Sequence, residues 1–214
     1  MRVEASESLK ASLEEISKPE KEKELKEFAL KVFDWSKTTN LVSKNSTLED
    51  VYHHIIDSAY LYALIENNSY IDAGSGAGFP GLVISILGNE AGSLLEPSNK
   101  KASFLRHCLA HFGIQNTKVL QTRLEHLELI KEDVLISRAL AEPKKIQKLA
   151  FRKMSGDQKI LLMVSEQQAI REDKSDWKYT PSGASKILGK KTGFLEFNPQ
   201  KKMIIYNLDN FSCS

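Results

Sequence analysis

Hydrophobic and polar positions divide this chain into a helical N-terminal part and a longer part in which strands and helices alternate. From residue 4 to residue 35, apolar side chains recur every three to four positions, the spacing of an amphipathic helix. Pro19 interrupts this pattern and predicts two helices, because proline does not continue a helix. A further helix is predicted over residues 48–65.

From Tyr70 onward, short apolar runs alternate with helical patterns, which predicts a parallel sheet. Strands are predicted at residues 70–73, 93–96, 118–121, 134–137, 160–164, 194–197 and 203–207. Helices are predicted at residues 80–87, 100–112, 124–129 and 143–153. A turn-like composition at residues 198–201 makes one of the last two strands antiparallel. We therefore expect a helical extension over residues 1–66 and one α/β domain over residues 67–214.

A glycine-rich turn joins the first predicted strand to the next helix. It runs from Asp72 to Gly81 and contains Gly74, Gly76 and Gly78. Glycine removes the Cβ atom where a ligand must lie against the backbone, and a helix start offers unpaired N–H groups to a polar ligand. This strand, turn and helix are typical of nucleotide-binding sites in doubly wound α/β sheets.

Two acidic residues narrow the choice of ligand. Glu96 ends the second predicted strand, where a carboxylate can accept hydrogen bonds from ribose hydroxyls. Asp72 would attract an ammonium group and repel a pyrophosphate. S-adenosylmethionine (SAM) carries an ammonium and a sulfonium group, whereas NAD carries two phosphates. The acids favour SAM, although the glycine pattern also matches a nucleotide-dependent, NAD-type redox or binding protein, and that alternative stays open.

Composition excludes several classes of protein. The 214 residues suffice for one well-buried domain with an extension. The formal net charge of +2 means that nucleic-acid binding would need a local basic patch. No signal-peptide pattern or membrane-length apolar run is present. Cys108 and Cys213 lack the spacing of a metal or redox site. We expect a cytoplasmic protein without a metal.

Six short segments form a combination that is specific to one protein family. They are WSKTTNLVS at 35–43, HIIDS at 54–58, DAGSGAGFPG at 72–81, KKASFLR at 100–106, QTRLE at 121–125 and ISRA at 136–139. Together they resemble the RsmG (GidB) family of bacterial 16S ribosomal RNA guanine-N7 methyltransferases, over roughly residues 28–167. The GFPG ending of the glycine turn and the SRA after the fourth strand are the most specific pair.

The resemblance implies a fold and a cofactor site. The fold is the Rossmann-like class I SAM-dependent methyltransferase fold, with a seven-stranded, mostly parallel sheet and an antiparallel C-terminal hairpin. SAM would lie at the carboxyl edge of the sheet, with its ribose at Glu96. The implied cofactor-binding residues are Asp72, Gly74, Gly76, Gly78, Phe79, Glu96, Leu124, Glu125 and Arg138. Arg138 is also the candidate catalytic residue, at the pocket or facing the RNA.

The resemblance also implies a substrate. It is a guanine in the 527 region of 16S ribosomal RNA, free or in the small-subunit particle, modified by a monomeric enzyme. The candidate RNA-binding residues are His53, His54, Lys100, Lys101, Lys144 and Lys145. Helix packing for the histidines and solubility for the lysines remain alternatives. Three positions depart from the family pattern: His53 replaces the usual arginine, Glu96-Pro97 the usual Asp-Ser, and Ser165-Glu166 the usual Lys-Gly.

The chemistry of guanine N7 agrees with the motifs that the chain contains. N7 has a lone pair and no proton, so its methylation needs positioning but no general base or covalent intermediate. Residues 137–140 lack the Asn/Asp-Pro-Pro-aromatic loop typical of exocyclic-amine methylation, and no cysteine stands there for methylation of cytosine C5. A methyltransferase of a small molecule or of another RNA would lack the same motifs, so this alternative stays open.

Overall fold

A mostly parallel sheet lies at the centre of the computed structural model, which describes residues 19–65, 67–138, 140, 143–155, 158–165, 180–181, 192–198 and 201–204. Its strands are β1 (Tyr70–Ala73), β2 (Gly92–Leu95), β3 (Thr117–Leu120), β4 (Val134–Arg138), β5 (Lys159–Ser165), β6 (Thr180–Pro181), β7 (Thr192–Asn198) and β8 (Lys201–Ile204). The strand order is β3-β2-β1-β4-β5-β7-β6, and β8 also pairs with β7. Strands β1 to β5 run parallel, and β7 pairs antiparallel with β5, β6 and β8.

Helices cover both faces of this sheet. They are α1 (Pro19–Ser36), α2 (Leu48–Ile65), α3 (Gly81–Leu87), α4 (Asn99–His111) and α5 (Pro143–Phe151), with a 3-10 turn at Leu124–His126. The predicted bounds of α2 are confirmed, α3 begins one residue later than predicted, and α4 begins and ends one residue earlier than predicted. In the described part of the chain, no helix is long and apolar enough to cross a membrane. The helix predicted before Pro19 lies outside the described residues.

The predicted sheet is confirmed in its architecture but differs in its strand count. The first five strands lie where the apolar runs placed them, and β7 and β8 form the expected antiparallel pair. The described residues form eight strands instead of seven, because Thr180–Pro181 adds a two-residue strand against β7. Two residues are too short for any periodic signal. The predicted last strand begins earlier, at Lys201, and residues 205–207 lie outside the described part.

Alternate residues of the strands build a core on each face of the sheet. Leu94 and Ile136 point toward the helices α1 to α4, whereas Leu95 and Leu135 point toward α5 and the 3-10 turn. Helices α1 and α2 share the first of these cores with the strands. The predicted division of the chain at residue 66 stays a prediction.

Two side chains of β1 hold the start of α3. The hydroxyl group of Tyr70 donates to the Gly81 carbonyl oxygen at 2.8 Å, and the Gly81 N–H donates to Asp72 Oδ2 at 3.0 Å. An added Cβ at Gly81 would lie 2.5 Å from Asp72 Oδ2 and from Leu94. This close approach requires glycine and fixes the end of the glycine turn against the sheet.

The carboxyl group of Asp72 is fully buried, which perturbs its ionisation. Its Oδ1 atom has no hydrogen-bond partner among the described residues. Burial raises the pKa of Asp72 to about 7, against the lowering effect of hydrogen bonds from Ser75 and Gly81. Nearby Glu96 raises it further, and Arg138 lowers it. Asp72 therefore keeps its proton in the folded protein up to a higher pH than in the unfolded chain. As a result, the free energy of unfolding falls as pH rises toward 7.

We predict that Asp72→Asn stabilises the protein without added ligand at high pH. Between about pH 5.5 and about pH 8, ionisation of Asp72 should cost the unmodified protein about 2 kcal/mol of unfolding free energy. The asparagine variant escapes this cost, so its advantage should grow with pH. Urea unfolding at both pH values measures the difference.

Asp133→Asn is the matched control. Hydrogen bonds from the Ser69 hydroxyl and N–H lower the pKa of Asp133, so this exposed carboxyl is ionised at both pH values. Its replacement should change stability by the same amount at each pH. An Asp72→Asn effect that is likewise independent of pH would contradict the raised pKa.

Candidate functional site

A cleft of about 310 Å³ opens at the carboxyl edge of the sheet. Its lining comes from the glycine turn, the end of β2, the 3-10 turn, the segment after β4 and α5. The lining residues are Gly74, Leu95, Pro97, Thr122, Arg123, Leu124, Glu125, Leu140, Lys145, Ile146 and Leu149. Ligands of open α/β sheets bind at this edge, because the connections diverge there.

Glycine stands at positions 76 and 78 of the turn for different structural reasons. Gly76 has φ +54°, and an added Cβ would meet only the Gly74 carbonyl oxygen, at 3.7 Å, so space lies open beside it. An added Cβ at Gly78 would lie 2.9 Å from Leu82 and 3.1 Å from Phe28. Gly76 therefore leaves room for a ligand, whereas Gly78 allows the turn to pack on the core. A cofactor contact by Gly78 stays a prediction.

Glu96 joins the glycine turn to the start of α4. Its Oε2 atom accepts a hydrogen bond from Gly76 N–H at 3.0 Å, and its Oε1 atom accepts one from Ser98 N–H at 2.8 Å. The side chain is buried, with 6% of its surface exposed. Each carboxylate oxygen has a second lone pair for a further donor. The carboxylate is thus held in place with lone pairs left for further donors, and its contact with a ribose stays a prediction.

A second cluster lies at the end of β4, on the other side of β1. Arg138 Nη2 lies 2.5 Å from His54 Nδ1, and its guanidinium carbon lies 5.9 Å from the Phe79 ring centroid. The His54 and Phe79 rings meet edge to face, 5.4 Å apart. Burial lowers the pKa of Arg138, while Asp57 and Asp72 raise it. The guanidinium remains a cation at any ordinary pH.

The cleft also includes Leu124 and Glu125, two of the cofactor-binding residues that the resemblance implied. Leu124 is buried at its wall and Glu125 is exposed at its rim. Sequence reasoning missed seven lining residues, namely Leu95, Pro97, Thr122, Arg123, Leu140, Ile146 and Leu149. Ile146 and Leu149 are three positions apart on one face of α5. This spacing is typical of helix packing and does not reveal a cleft.

The structure separates the candidate RNA-binding residues. Both ring nitrogens of His53 are buried, and His54 Nδ1 lies against Arg138. An RNA contact by either histidine stays a prediction. Lys100 is exposed and Lys101 half-buried in the first turn of α4. Lys145 is exposed and lines the cleft. The Lys144 side chain lies outside the described residues. The lysines thus remain candidates for RNA contact.

The residues of this edge fit SAM. The unpartnered Oδ1 of Asp72 offers an acceptor near the glycine turn, and an ammonium group there would favour the ionised carboxylate. Glu96 offers acceptors for a ribose, and Leu124 with the apolar side chains of α5 offers a wall for a purine. The paired acids Asp72 and Glu96 would oppose a pyrophosphate. Bound SAM would supply an electrophilic methyl group on its sulfonium.

Known proteins are similar to this chain in sequence. The GidB family model, described as rRNA small subunit methyltransferase G, matches residues 21–195. A "Ribosomal RNA small subunit methyltransferase G" of Ruthia magnifica is 32% identical over 73% of this chain and 75% of its own length. The protein of that name from Zymomonas mobilis is 33% identical over 78% of this chain and 76% of its own. One from Allorhizobium ampelinum is 44% identical over 50% and 54%.

Solved structures share the fold at low sequence identity. An RNA methyltransferase from Salinibacter ruber, in complex with S-adenosyl-L-homocysteine, superposes with a TM-score of 0.53 at 15% identity, over 73% of this chain and 95% of its own. MtNAS in complex with MTA and tNA gives a TM-score of 0.53 at 18% identity, over 82% and 70%. These likenesses concern the fold alone.

The family match and the relatives settle three expectations. The class I methyltransferase fold is confirmed, and SAM is confirmed as the cofactor. Methylation of ribosomal RNA is confirmed as the general activity. The matched segment spans most of the chain, from residue 21 to residue 195, and two of the relatives at over 30% identity align over more than two thirds of both chains. The chain therefore belongs to the GidB family, rRNA small subunit methyltransferase G.

Proposed function

We propose that this protein transfers the methyl group of SAM to N7 of a guanine in the 527 region of 16S ribosomal RNA. The observation that carries the proposal is the placement of Arg138 at the edge beside the cofactor cleft, held by His54 and Phe79. The Hoogsteen edge of guanine presents two acceptors, O6 and N7. A fixed guanidinium can donate to O6 while the N7 lone pair faces the methyl group.

The side chains of the site act by binding and orientation. Glu96 accepts from the ribose, Asp72 faces the ammonium group, and Leu124 and Glu125 border the adenine. Arg138 orients the base or an adjacent phosphate. N7 carries no proton, so no side chain has to remove one, and the rate gain comes from holding the reacting atoms in line and excluding water. In this proposal Arg138 positions the base and does not act as a general base.

The RNA approaches over basic side chains at the cleft rim. Arg123 and Lys145 are exposed there, and Lys100 is exposed at the start of α4. These cations can bind phosphates, and such contacts weaken as salt rises. We propose that the protein is a cytoplasmic monomer and that its partner is 16S ribosomal RNA or the small-subunit particle. A methyltransferase that acts on small molecules would show no salt-dependent binding to RNA.

The test is a map of N7-methylguanine in 16S ribosomal RNA from the wild type and from a strain lacking this gene. Borohydride and aniline cleave RNA at N7-methylguanine, so primer extension locates the base. We expect one stop in the 527 region to disappear in the deletion strain and to return with a plasmid copy. A stop that persists, or a loss confined to another modification, would refute the proposal.

We predict that Glu96→Ala weakens SAM binding by roughly 1.5–3 kcal/mol, the range for hydrogen bonds to a charged group. Glu96→Gln should lose less, because its amide oxygen can still accept from Gly76 or from a hydroxyl. Titration calorimetry with SAM measures both variants. Glu128→Ala removes an exposed carboxylate outside the cleft and is the matched control. Equal affinity for SAM in all three variants would mean that a residue other than Glu96 binds the ribose.

We predict that Arg138→Ala lowers kcat on the order of 100-fold, the scale of loss when reacting groups are misplaced. Arg138→Lys should recover little, because a lysine keeps the charge and lacks the planar fork. Single-turnover methylation gives the rate, and separate SAM and RNA titrations show which ligand Arg138 orients. Arg106→Ala, an exposed arginine on α4, is the control. Full activity of Arg138→Ala at low and physiological salt would remove it from the site.

A further inference from the structure

We infer that His54 is a positioning residue, whose Nδ1 atom accepts a hydrogen bond from Arg138 and thereby holds the guanidinium at the carboxyl edge of the sheet. The inference rests on the proposed function, because it concerns how Arg138 is placed for methyl transfer. It gives His54 a role inside the protein in place of the RNA contact that its sequence position suggested.

The contact determines which form of the imidazole is present. Arg138 Nη2 lies 2.5 Å from His54 Nδ1, within hydrogen-bond distance. An arginine guanidinium has donors and no acceptor, so Nδ1 must supply a lone pair. A protonated histidine carries a hydrogen on both ring nitrogens and could not accept this bond. His54 is therefore neutral, with its proton on Nε2.

The His54 ring is itself fixed by its surroundings. It meets the Phe79 ring edge to face at 5.4 Å, and Phe79 belongs to the glycine turn. The His54 carbonyl oxygen accepts a hydrogen bond from the Ser58 hydroxyl at 2.6 Å, one turn further along α2. The acceptor thus sits on a rigid helix and against a rigid ring.

Arg138 needs such a fixed acceptor. It is the last residue of β4, and a free arginine side chain loses rotamer entropy when it is ordered. Asp57 and Asp72 favour its charge, but a charge alone does not orient the planar fork. A hydrogen bond to one named nitrogen does, because it fixes the direction of the Nη2 atom.

The arrangement also accounts for the polar residues of the HIIDS segment. Asp57 and Ser58 are buried on α2, where apolar residues would be expected. Asp57 contributes negative charge toward Arg138, and Ser58 binds the His54 carbonyl oxygen. His54 supplies the acceptor. All three polar side chains of the segment therefore relate to the placement of one guanidinium.

Three variants separate the hydrogen bond from simple packing. In His54→Asn, Oδ1 lies as many bonds from Cα as Nδ1 does and can accept from Arg138. His54→Gln places its acceptor one bond further out. His54→Phe keeps an aromatic ring against Phe79 and has no acceptor. We expect kcat to fall about 10-fold or more in the Phe and Gln variants, the loss for one hydrogen bond to a charged group. The Asn variant should stay within about 3-fold of wild type.

The affinities distinguish this role from RNA contact. SAM affinity and the KM for RNA should change far less than kcat in the Phe and Gln variants, and should stay near the wild-type values in the Asn variant. His111→Phe, which alters an exposed histidine on α4, is the matched control and should be fully active. Full activity of His54→Phe would overturn the inference. A loss that appears only as weaker RNA binding would also overturn it and would return His54 to the RNA surface.

A double-mutant cycle tests the contact without relying on activity. If His54 acts through Arg138, then His54→Phe should cause no further loss of kcat in an Arg138→Met background. The unfolding free energies of the same four proteins should also be non-additive. Additive effects in both measurements would overturn the inference. If the wild type forms no N7-methylguanine, the proposed function fails, while the stability cycle still decides whether His54 and Arg138 are coupled.

Discussion

The hydrogen bond between the buried carboxylate of Asp72 and the N–H of Gly81 is the contact on which the arrangement of the site depends. It ties the end of β1 to the first residue of α3 and so sets both ends of the glycine turn. The turn then presents Gly76 N–H to Glu96 on one side. On the other side it presents the Phe79 ring to the Arg138 cluster. Displacement of Gly81 would move both halves of the site together.

Charge is distributed asymmetrically around this contact. Two buried acids, Asp72 and Glu96, lie along the glycine turn, and one partly buried cation, Arg138, lies across β1 from Glu96. Buried charges lower stability unless they are paired or neutralised. Burial raises the pKa of Asp72, and the guanidinium of Arg138 lies against the His54 imidazole. Such a site is poised for a ligand that carries charges of its own.

Local patterns predicted the elements of the fold well, because hydrophobic periodicity is a local property. The bounds of α2, the first five strands and the terminal antiparallel pair all followed from it. Local patterns missed the strand Thr180–Pro181, whose existence depends only on pairing with β7. Near spacing also did not reveal that Arg138, 84 positions away, lies against His54, which the family resemblance placed among the RNA-binding candidates.

The sequence by itself determined the α/β class, the glycine turn, the acid after the second strand and, through a combination of short motifs, the family. These features depend on residue type and near spacing, which a single chain displays. Only the tertiary structure decided that Gly78 faces the core, that Gly76 N–H donates a hydrogen bond to Glu96, and that His54 lies against Arg138. Each of these is a contact that forms when the chain folds, and the order of residues along a short segment does not reveal which residues will meet in space.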